Sequence, residues 1–127
     1  MTIFKRKQIN QKRQENYNRV YQLHQNAEFL FYVEDAYKED FEGQKYIKLE
    51  GVVAKGTADL EDSFVLFNCN GVQKAVVTLE EMYIGKDRVN NLYAGDKRVA
   101  LYPIQQDIPY KAGDFLCKTG GKNGSNS

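Results

Sequence analysis

The first 26 residues combine a sparse apolar stripe with many polar side chains that favour helices. Residues 5–26 contain no glycine or proline and are rich in glutamine, lysine and arginine. The apolar stripe recurs at close to helical spacing and comprises Ile9, Tyr17, Val20, Tyr21 and His24. We therefore predict an amphipathic helix over Lys5–Asn26, and we expect it to lie on another surface because short isolated helices are marginal in water.

After Asn26 the pattern changes to that of β-strands. Aromatic and β-branched side chains dominate Glu28–Tyr37, and in "YIKLEGVVAKG" the side chains of Ile47, Leu49 and Val53 share one face. Gly51 within that strand indicates a bend or a close approach of another backbone segment. Further strands are predicted over Ser63–Cys69, Val72–Ile84, Arg98–Tyr102 and Asp114–Lys118.

Turn signals separate these strands. "KEDFEG" is interpreted as a turn or loop, and Asn70-Gly71 predicts a hairpin with positive φ at both residues. The tripeptide Ala-Gly-Asp occurs at Ala94–Asp96 and at Ala112–Asp114, each time ahead of an apolar run. In each copy the glycine can adopt φ values that other residues avoid, and the aspartate can bond nearby backbone groups to close a turn.

Six strands and one initial helix define an all-β domain, either a barrel or a sandwich. A chain of 127 residues is normally one domain. We expect residues 1–26 to be a basic helix packing on the β-domain of residues 27–118. Residues 119–127 are polar and glycine-rich, and we expect them to be a disordered tail because they cannot bury enough apolar surface to order themselves.

Charge is distributed unevenly along the chain. The net charge is +1, but residues 1–26 carry +5 and the remainder carries −4. The basic side chains of the first segment are Lys5, Arg6, Lys7, Lys12, Arg13 and Arg19. Interleaved with Gln and Asn, they form a candidate RNA-binding surface that could follow a phosphate backbone. The alternative is a helix that only packs on the β-domain, with its charges solvated.

Several other functions receive no support from the sequence. No apolar stretch is long enough to span a membrane, and the N-terminus lacks the apolar region of a secretory signal, so we expect a cytoplasmic location and no membrane partner. Cys69 and Cys117 are interpreted as small core residues in strands rather than as a disulfide framework. With His24 as the single histidine they do not make a zinc site. We expect no catalytic residues, no metal and no cofactor.

Four motifs in order carry a family resemblance, from Phe31 to Gly120. They are "VEDAY", "GVVAKGTADLED", "VTLEEMYIGKDRVNNLYAGD" and "DIPYKAGDFLCKTG". Together they resemble the second domain of elongation factor Tu and related translational GTPases, which implies a closed six-stranded barrel of antiparallel type. Glu61 departs from the family, which usually has glycine there, and Arg98 stands where an apolar residue is expected. The phosphate loop of the GTPase domain is missing, so no nucleotide cofactor is expected.

The resemblance also implies a candidate pocket. In elongation factor Tu this barrel helps hold the aminoacylated 3′ end of tRNA, and Glu34, Asp35 and Tyr37 match positions of that pocket. Tyr93 stands where the family has a basic residue. A pocket that keeps the acids and loses the base repels phosphate more strongly, which argues against conventional aminoacyl-tRNA binding. The alternative for Glu34 and Asp35 is solvated charge that discourages pairing at a strand edge.

The sequence therefore favours a non-catalytic binding module, with a translation-related role implied by the resemblance. The first hypothesis is attachment to RNA or to a ribonucleoprotein such as the ribosome through the basic helix. The second is a protein-interaction module that uses exposed aromatic residues such as Tyr32, Tyr83 or Tyr102. A third is an accessory domain with no stable ligand.

Overall fold

The computed structural model describes the backbone of residues 2–118 and the side chains of residues 11–118. One helix is followed by eight strands. Their bounds are α1 Thr2–Leu23, β1 Phe29–Phe41, β2 Gln44–Asp59, β3 Ser63–Phe67, β4 Gln73–Ile84, β5 Asp87–Val89, β6 Asn91–Tyr93, β7 Val99–Pro103 and β8 Phe115–Lys118. The predicted tail lies outside the described residues. Within them, no helix combines the length and apolar character needed to cross a membrane.

Six strands close into an antiparallel barrel. The hydrogen-bonded order is β1-β8-β3-β4-β7-β2, and β2 pairs with β1 to complete the circuit. This confirms the predicted fold class and decides for the barrel over the sandwich. Two short strands were not predicted: β5 pairs with β4, and β6 pairs with β2.

The barrel interior is filled by the side chains on the inward-facing side of the strands. Burying a Leu or Phe side chain fully contributes about 1.5–3 kcal/mol, so this interior is the main source of stability. The largest fully buried interior side chains are Phe29, Phe31, Leu49, Phe64, Leu66, Met82, Leu92, Leu101 and Leu116. The predicted inward face of β2 is confirmed, because Val53 is also buried there, and on β4 Val77 is buried in the same cluster.

The first five residues of β1 are buried on both faces. Phe29, Phe31 and Val33 point into the barrel, whereas Leu30 and Tyr32 belong to a second apolar cluster that also contains Val20 of α1. The second cluster therefore lies between the helix and the outer surface of the barrel. Tyr32 is only 4% exposed, so its predicted place on an exposed aromatic surface is wrong.

Strands β1 and β2 form a hairpin that extends past the strands beside them. Their pairing runs on from Asp35 opposite Glu50 to Phe41 opposite Gln44. The two-residue turn is Glu42-Gly43, with φ values of 51° and 81°. The interpretation of "KEDFEG" as a turn or loop is therefore wrong for its first four residues. We call residues 36–48 the hairpin arm.

Both Ala-Gly-Asp tripeptides form the same turn. Gly95 and Gly113 have φ values of 95° and 96°, a region that L side chains rarely adopt. In each turn the aspartate Oδ2 accepts the N–H of the residue three positions earlier, at 2.8 Å. The local explanation predicted for the repeated tripeptide is confirmed.

The two turns also bind the barrel at corresponding places. The N–H of Gly95 donates to the carbonyl of Val53 at 2.9 Å, and the N–H of Gly113 donates to that of Val33 at 2.8 Å. In each case the same valine N–H donates back to the carbonyl of the turn's aspartate, at 2.9 Å. The repeat thus attaches one turn to β2 and the other to β1.

Three smaller predictions need correction. The hairpin after β3 has positive φ at Gly71 only, because Asn68 closes it by accepting the N–H groups of Asn70 and Val72 through its side chain. Strand β7 begins at Val99, and Arg98 precedes it with a φ of 58°. Helix α1 ends at Leu23 rather than at Asn26.

Candidate functional site

The end of α1 and the residue that follows it rest on the barrel through three ring or apolar side chains. Tyr17 meets Tyr32 edge-on, with ring centroids 5.3 Å apart, and Val20 is fully buried in the cluster that contains Leu30 and Tyr32 of β1. His24, just after the helix, lies against Phe115 at 4.4 Å between ring centroids. These contacts explain the stripe in the sequence and fix the orientation of the helix.

The described basic residues of α1 remain accessible but not all are free. Lys12 is exposed. The guanidinium of Arg13 lies 3.7 Å from the carboxylate of Asp35, and that of Arg19 donates to the side-chain oxygen of Asn70 at 2.8 Å. Both pairs are solvent-exposed, and such contacts contribute about 0–1 kcal/mol, so an external anion can compete for these side chains. The side chains of Lys5, Arg6 and Lys7 lie outside the described residues.

Three of the four family-pocket positions, Glu34, Asp35 and Tyr37, lie close together in sequence on β1. Asp35 pairs opposite Glu50, and both carboxylates raise the pKa of the neighbouring Tyr37, Asp35 having the larger effect. Glu34 is exposed at an irregularity in the β1–β2 pairing. Arg13 brings a positive charge to Asp35 from the helix.

Tyr93 does not share this neighbourhood. It lies in β6 opposite Thr57, seven residues farther along β2 than Glu50, which faces Asp35. Its side chain is 56% exposed. The four family-pocket positions therefore divide into a group on β1 and a separate residue on β6.

A groove that the sequence did not reveal lies between the hairpin arm and strands β4 and β7. Its volume is about 440 Å³. The lining consists of four aromatic rings and three carboxylates: Phe41, Tyr46, Tyr83, Tyr102, Glu39, Glu80 and Glu81. We call it the aromatic–acid groove. The acid pairs Glu39/Asp40 and Glu80/Glu81 were visible in the sequence, but nothing indicated that they face one another across aromatic rings.

Tyrosine hydroxyls hold two of these carboxylates in place. Tyr102 donates to Glu39 at 3.1 Å, and Tyr83 donates to Glu81 at 2.9 Å. Burial and the bond to Glu39 raise the pKa of Tyr102, and the bond to Glu81 raises that of Tyr83. Both phenols therefore stay protonated at neutral pH and act as donors.

The described residues show no grouping suited to a metal ion. Among the side chains of residues 11–118, no three His, Cys, Asp or Glu residues lie where they could jointly hold a metal ion. Cys117 is buried in β8 and its Sγ lies 3.4 Å from Nδ1 of His24. Cys69 lies in the turn after β3 rather than in a strand and is half-buried, which corrects its predicted position.

Comparison with known proteins identifies the barrel. No family model matches the sequence, and the search of curated proteins finds no relative. Solved structures do match: the translation elongation factor SelB from Methanococcus maripaludis, in its apo form, aligns with a TM-score of 0.59 and 18% identity over 74% of this chain. A bacterial selenocysteine-specific elongation factor, EF-Sec, aligns with a TM-score of 0.57 and 22% identity over 76% of this chain.

These matches confirm a barrel of the translation-factor type, as the resemblance implied. The alignment covers only 19% and 15% of the two elongation factors. This chain therefore spans under a fifth of their length and corresponds to a barrel domain rather than to a GTPase domain. At these identities the likeness concerns the fold.

Proposed function

We propose that this chain is a non-catalytic, translation-related binding module that attaches to RNA or to a ribonucleoprotein through the basic side chains of α1. The observation that supports the proposal is that residues 1–26 carry a net charge of +5, while the C-terminal half of the helix is anchored on the barrel. Val20 and its neighbours fix the helix on the barrel, and Lys12 and Arg13 stay accessible.

The likeness to barrels of translation elongation factors supports a translation-related setting. The aligned region is a barrel domain, which supports a role in binding rather than in catalysis. Attachment through α1 differs from binding at the pocket that the resemblance implies. That pocket keeps the acids Glu34 and Asp35, and Tyr93 stands at its basic position. Phosphate is better matched by the helix than by this acidic part of the barrel.

The test is the affinity for a fluorescein-labelled single-stranded RNA of about 20 nucleotides, measured by fluorescence anisotropy at several salt concentrations. Four phosphate contacts predict that binding weakens about 50-fold between 50 and 200 mM salt. The variant carrying Lys5→Ala, Arg6→Ala, Lys12→Ala and Arg13→Ala is expected to bind more weakly, with a flatter dependence on salt.

The matched control removes four exposed positive charges from the barrel instead: Lys38→Ala, Lys86→Ala, Lys97→Ala and Lys111→Ala. It lowers the net charge equally, so it is expected to retain most of the RNA affinity. Equal losses in both variants would refute a specific role of α1. No measurable affinity at 50 mM salt would refute RNA attachment altogether.

A further inference from the structure

The hairpin arm forms one wall of the aromatic–acid groove. Along β1, Glu39 and Phe41 lie on the same face because alternate residues of a strand point the same way. Tyr46, opposite Glu39 on β2, adds a second ring to that face. Phe41, at the end of the arm, remains 64% exposed, so its ring is accessible from solvent.

A bulge in β4 builds the opposite wall. The pairing of β4 with β7 is interrupted between Leu79 and Glu81, so that Glu80 is an extra residue there. A regular strand would direct Glu80 and Glu81 to opposite faces, whereas a bulge re-aims one of the two side chains. Both carboxylates therefore line the same groove.

The groove carries negative charge that the protein itself only partly compensates. Glu39 lies 3.5 Å from Lys48, and Glu81 lies 3.6 Å from Arg88. Glu80 is exposed and has no hydrogen-bond or salt-bridge partner among the side chains of residues 11–118. None of the lining residues is basic.

We propose that the aromatic–acid groove binds an arginine-bearing segment of a partner protein. A guanidinium can stack on a tyrosine or phenylalanine ring and at the same time bond a carboxylate through two N–H groups. The groove offers both: the perpendicular rings of Tyr83 and Tyr102, 5.8 Å apart, and the uncompensated carboxylate of Glu80. The tyrosine hydroxyls already hold Glu39 and Glu81 in position, which lowers the ordering cost of binding.

Charge argues against two other occupants. A phosphate backbone would be repelled by the uncompensated carboxylate of Glu80, and the lining offers it no basic residue. A neutral apolar peptide would remove Glu80 from water without giving it a partner, which is unfavourable. The proposal does not depend on RNA binding by α1, because the two surfaces have opposite charge and share no residue.

The test uses the full-length, ¹⁵N-labelled chain and heteronuclear NMR. The probe is the acetylated, amidated peptide Gly-Arg-Gly-Arg-Gly-Arg-Gly, and the same peptide with Glu in place of Arg is the negative control. Binding is expected to shift amide signals of the hairpin arm and of β4 and β7 around the groove. The Glu peptide is expected to leave them unchanged.

Two variants and two matched controls locate the binding. Glu80→Gln is expected to weaken binding about tenfold, because a charged hydrogen-bond pair is lost, and Phe41→Ala about fivefold through loss of ring stacking. Glu61→Gln removes an exposed acid elsewhere, and Tyr93→Ala removes an exposed ring elsewhere. Both controls are expected to bind as the unaltered chain does.

Four outcomes of the peptide titrations would overturn the proposal, and sedimentation supplies a fifth. They are absence of shifts at the groove with the Arg peptide, equal shifts with the Glu peptide, equal weakening by Glu80→Gln and Glu61→Gln, and displacement of the peptide by RNA bound in the groove. Sedimentation tests for a second copy of this chain as the occupant. The proposal is wrong if the unaltered chain is a dimer that does not bind the peptide and that Glu80→Gln dissociates.

Discussion

Nδ1 of His24 lies 3.4 Å from Sγ of Cys117, where the end of α1 meets β8. The imidazole also packs against Phe67 and Phe115, with ring centroids 4.6 and 4.4 Å away. No acid is among these neighbours, so nothing in this contact favours the charged imidazole. Burial accordingly lowers the pKa of His24 below its ordinary value of 6.5.

Docking of α1 is therefore expected to weaken in mild acid. In the folded protein the pKa of His24 lies below 6.5. The neutral imidazole therefore contributes its full stabilisation above pH 6.5, and this contribution decreases as the pH falls from 6.5 towards the pKa of the folded state. His24 is the only histidine. Urea denaturation at pH 7.5 and pH 5.8 checks this: the loss of stability should be smaller in His24→Phe, and an equal loss in both proteins would contradict the role of His24.

The two cysteines should differ in reactivity towards a thiol reagent. Burial raises the pKa of the Cys117 thiol to about 12, and its side chain is 5% exposed. Cys69 is half-buried in a turn. One equivalent of a disulfide reagent should react readily with the native protein, and Cys69→Ser should abolish that phase. Rapid reaction of both thiols would indicate that α1 does not cover Cys117.

The salt bridge between Lys74 and Asp114 should matter far more than an exposed one. Asp114 is 2% exposed and its carboxylate lies 2.7 Å from Nζ of Lys74. Lys74→Met leaves this carboxylate buried without its cation, and we expect a loss of about 3–5 kcal/mol in the free energy of unfolding.

The matched control is Lys45→Met. Lys45 pairs with Asp40 at 3.3 Å, and both side chains are largely exposed, so we expect a loss of under about 1 kcal/mol. Denaturant titrations of the two variants give both values. Similar losses would show that burial of Asp114 does not set the strength of its pair.

Gly51 should not tolerate a side chain, although its φ lies outside the positive region that favours glycine. A Cβ at this position would overlap the carbonyl oxygen of Tyr32 in the facing strand. We expect Gly51→Ala to destabilise the protein by about 3 kcal/mol. At Gly43, in the turn of the hairpin arm, a Cβ meets nothing, so Gly43→Ala should cost about 1 kcal/mol through its φ of 81°. Thermal unfolding of both variants tests the order.

Features governed by local sequence were predictable. Alternation fixed which residues of β2 face the core, because a half-buried strand repeats every two residues. The close backbone approach expected at Gly51 is present, and the glycines and aspartates of the Ala-Gly-Asp turns act as their chemistry requires. Glu61 stands where the family usually has glycine, and it lies in a turn. Asp62 closes this turn, because its carboxylate accepts the N–H of Asp59 at 2.8 Å.

Features governed by long-range pairing were not predictable. The hairpin arm has polar residues on both strands, so its sequence resembles a loop and lacks the apolar alternation of a strand with a buried face. The bulge at Glu80 depends on the register between β4 and β7, which no short stretch of sequence encodes. The aromatic–acid groove follows from these two features. The contact of Arg13 with Asp35 likewise could not be predicted, because it depends on how α1 lies on the barrel.

The central claim, that the basic helix is the RNA-binding surface, is tested most directly by mapping amide signals of the ¹⁵N-labelled chain during titration with single-stranded RNA at low salt. We predict shifts concentrated in α1 from Lys5 to Arg19 and at the adjoining turn around Asn70, which Arg19 contacts. Signals of the aromatic–acid groove should stay in place. An unchanged helix, or shifts centred on the hairpin arm, would contradict the claim.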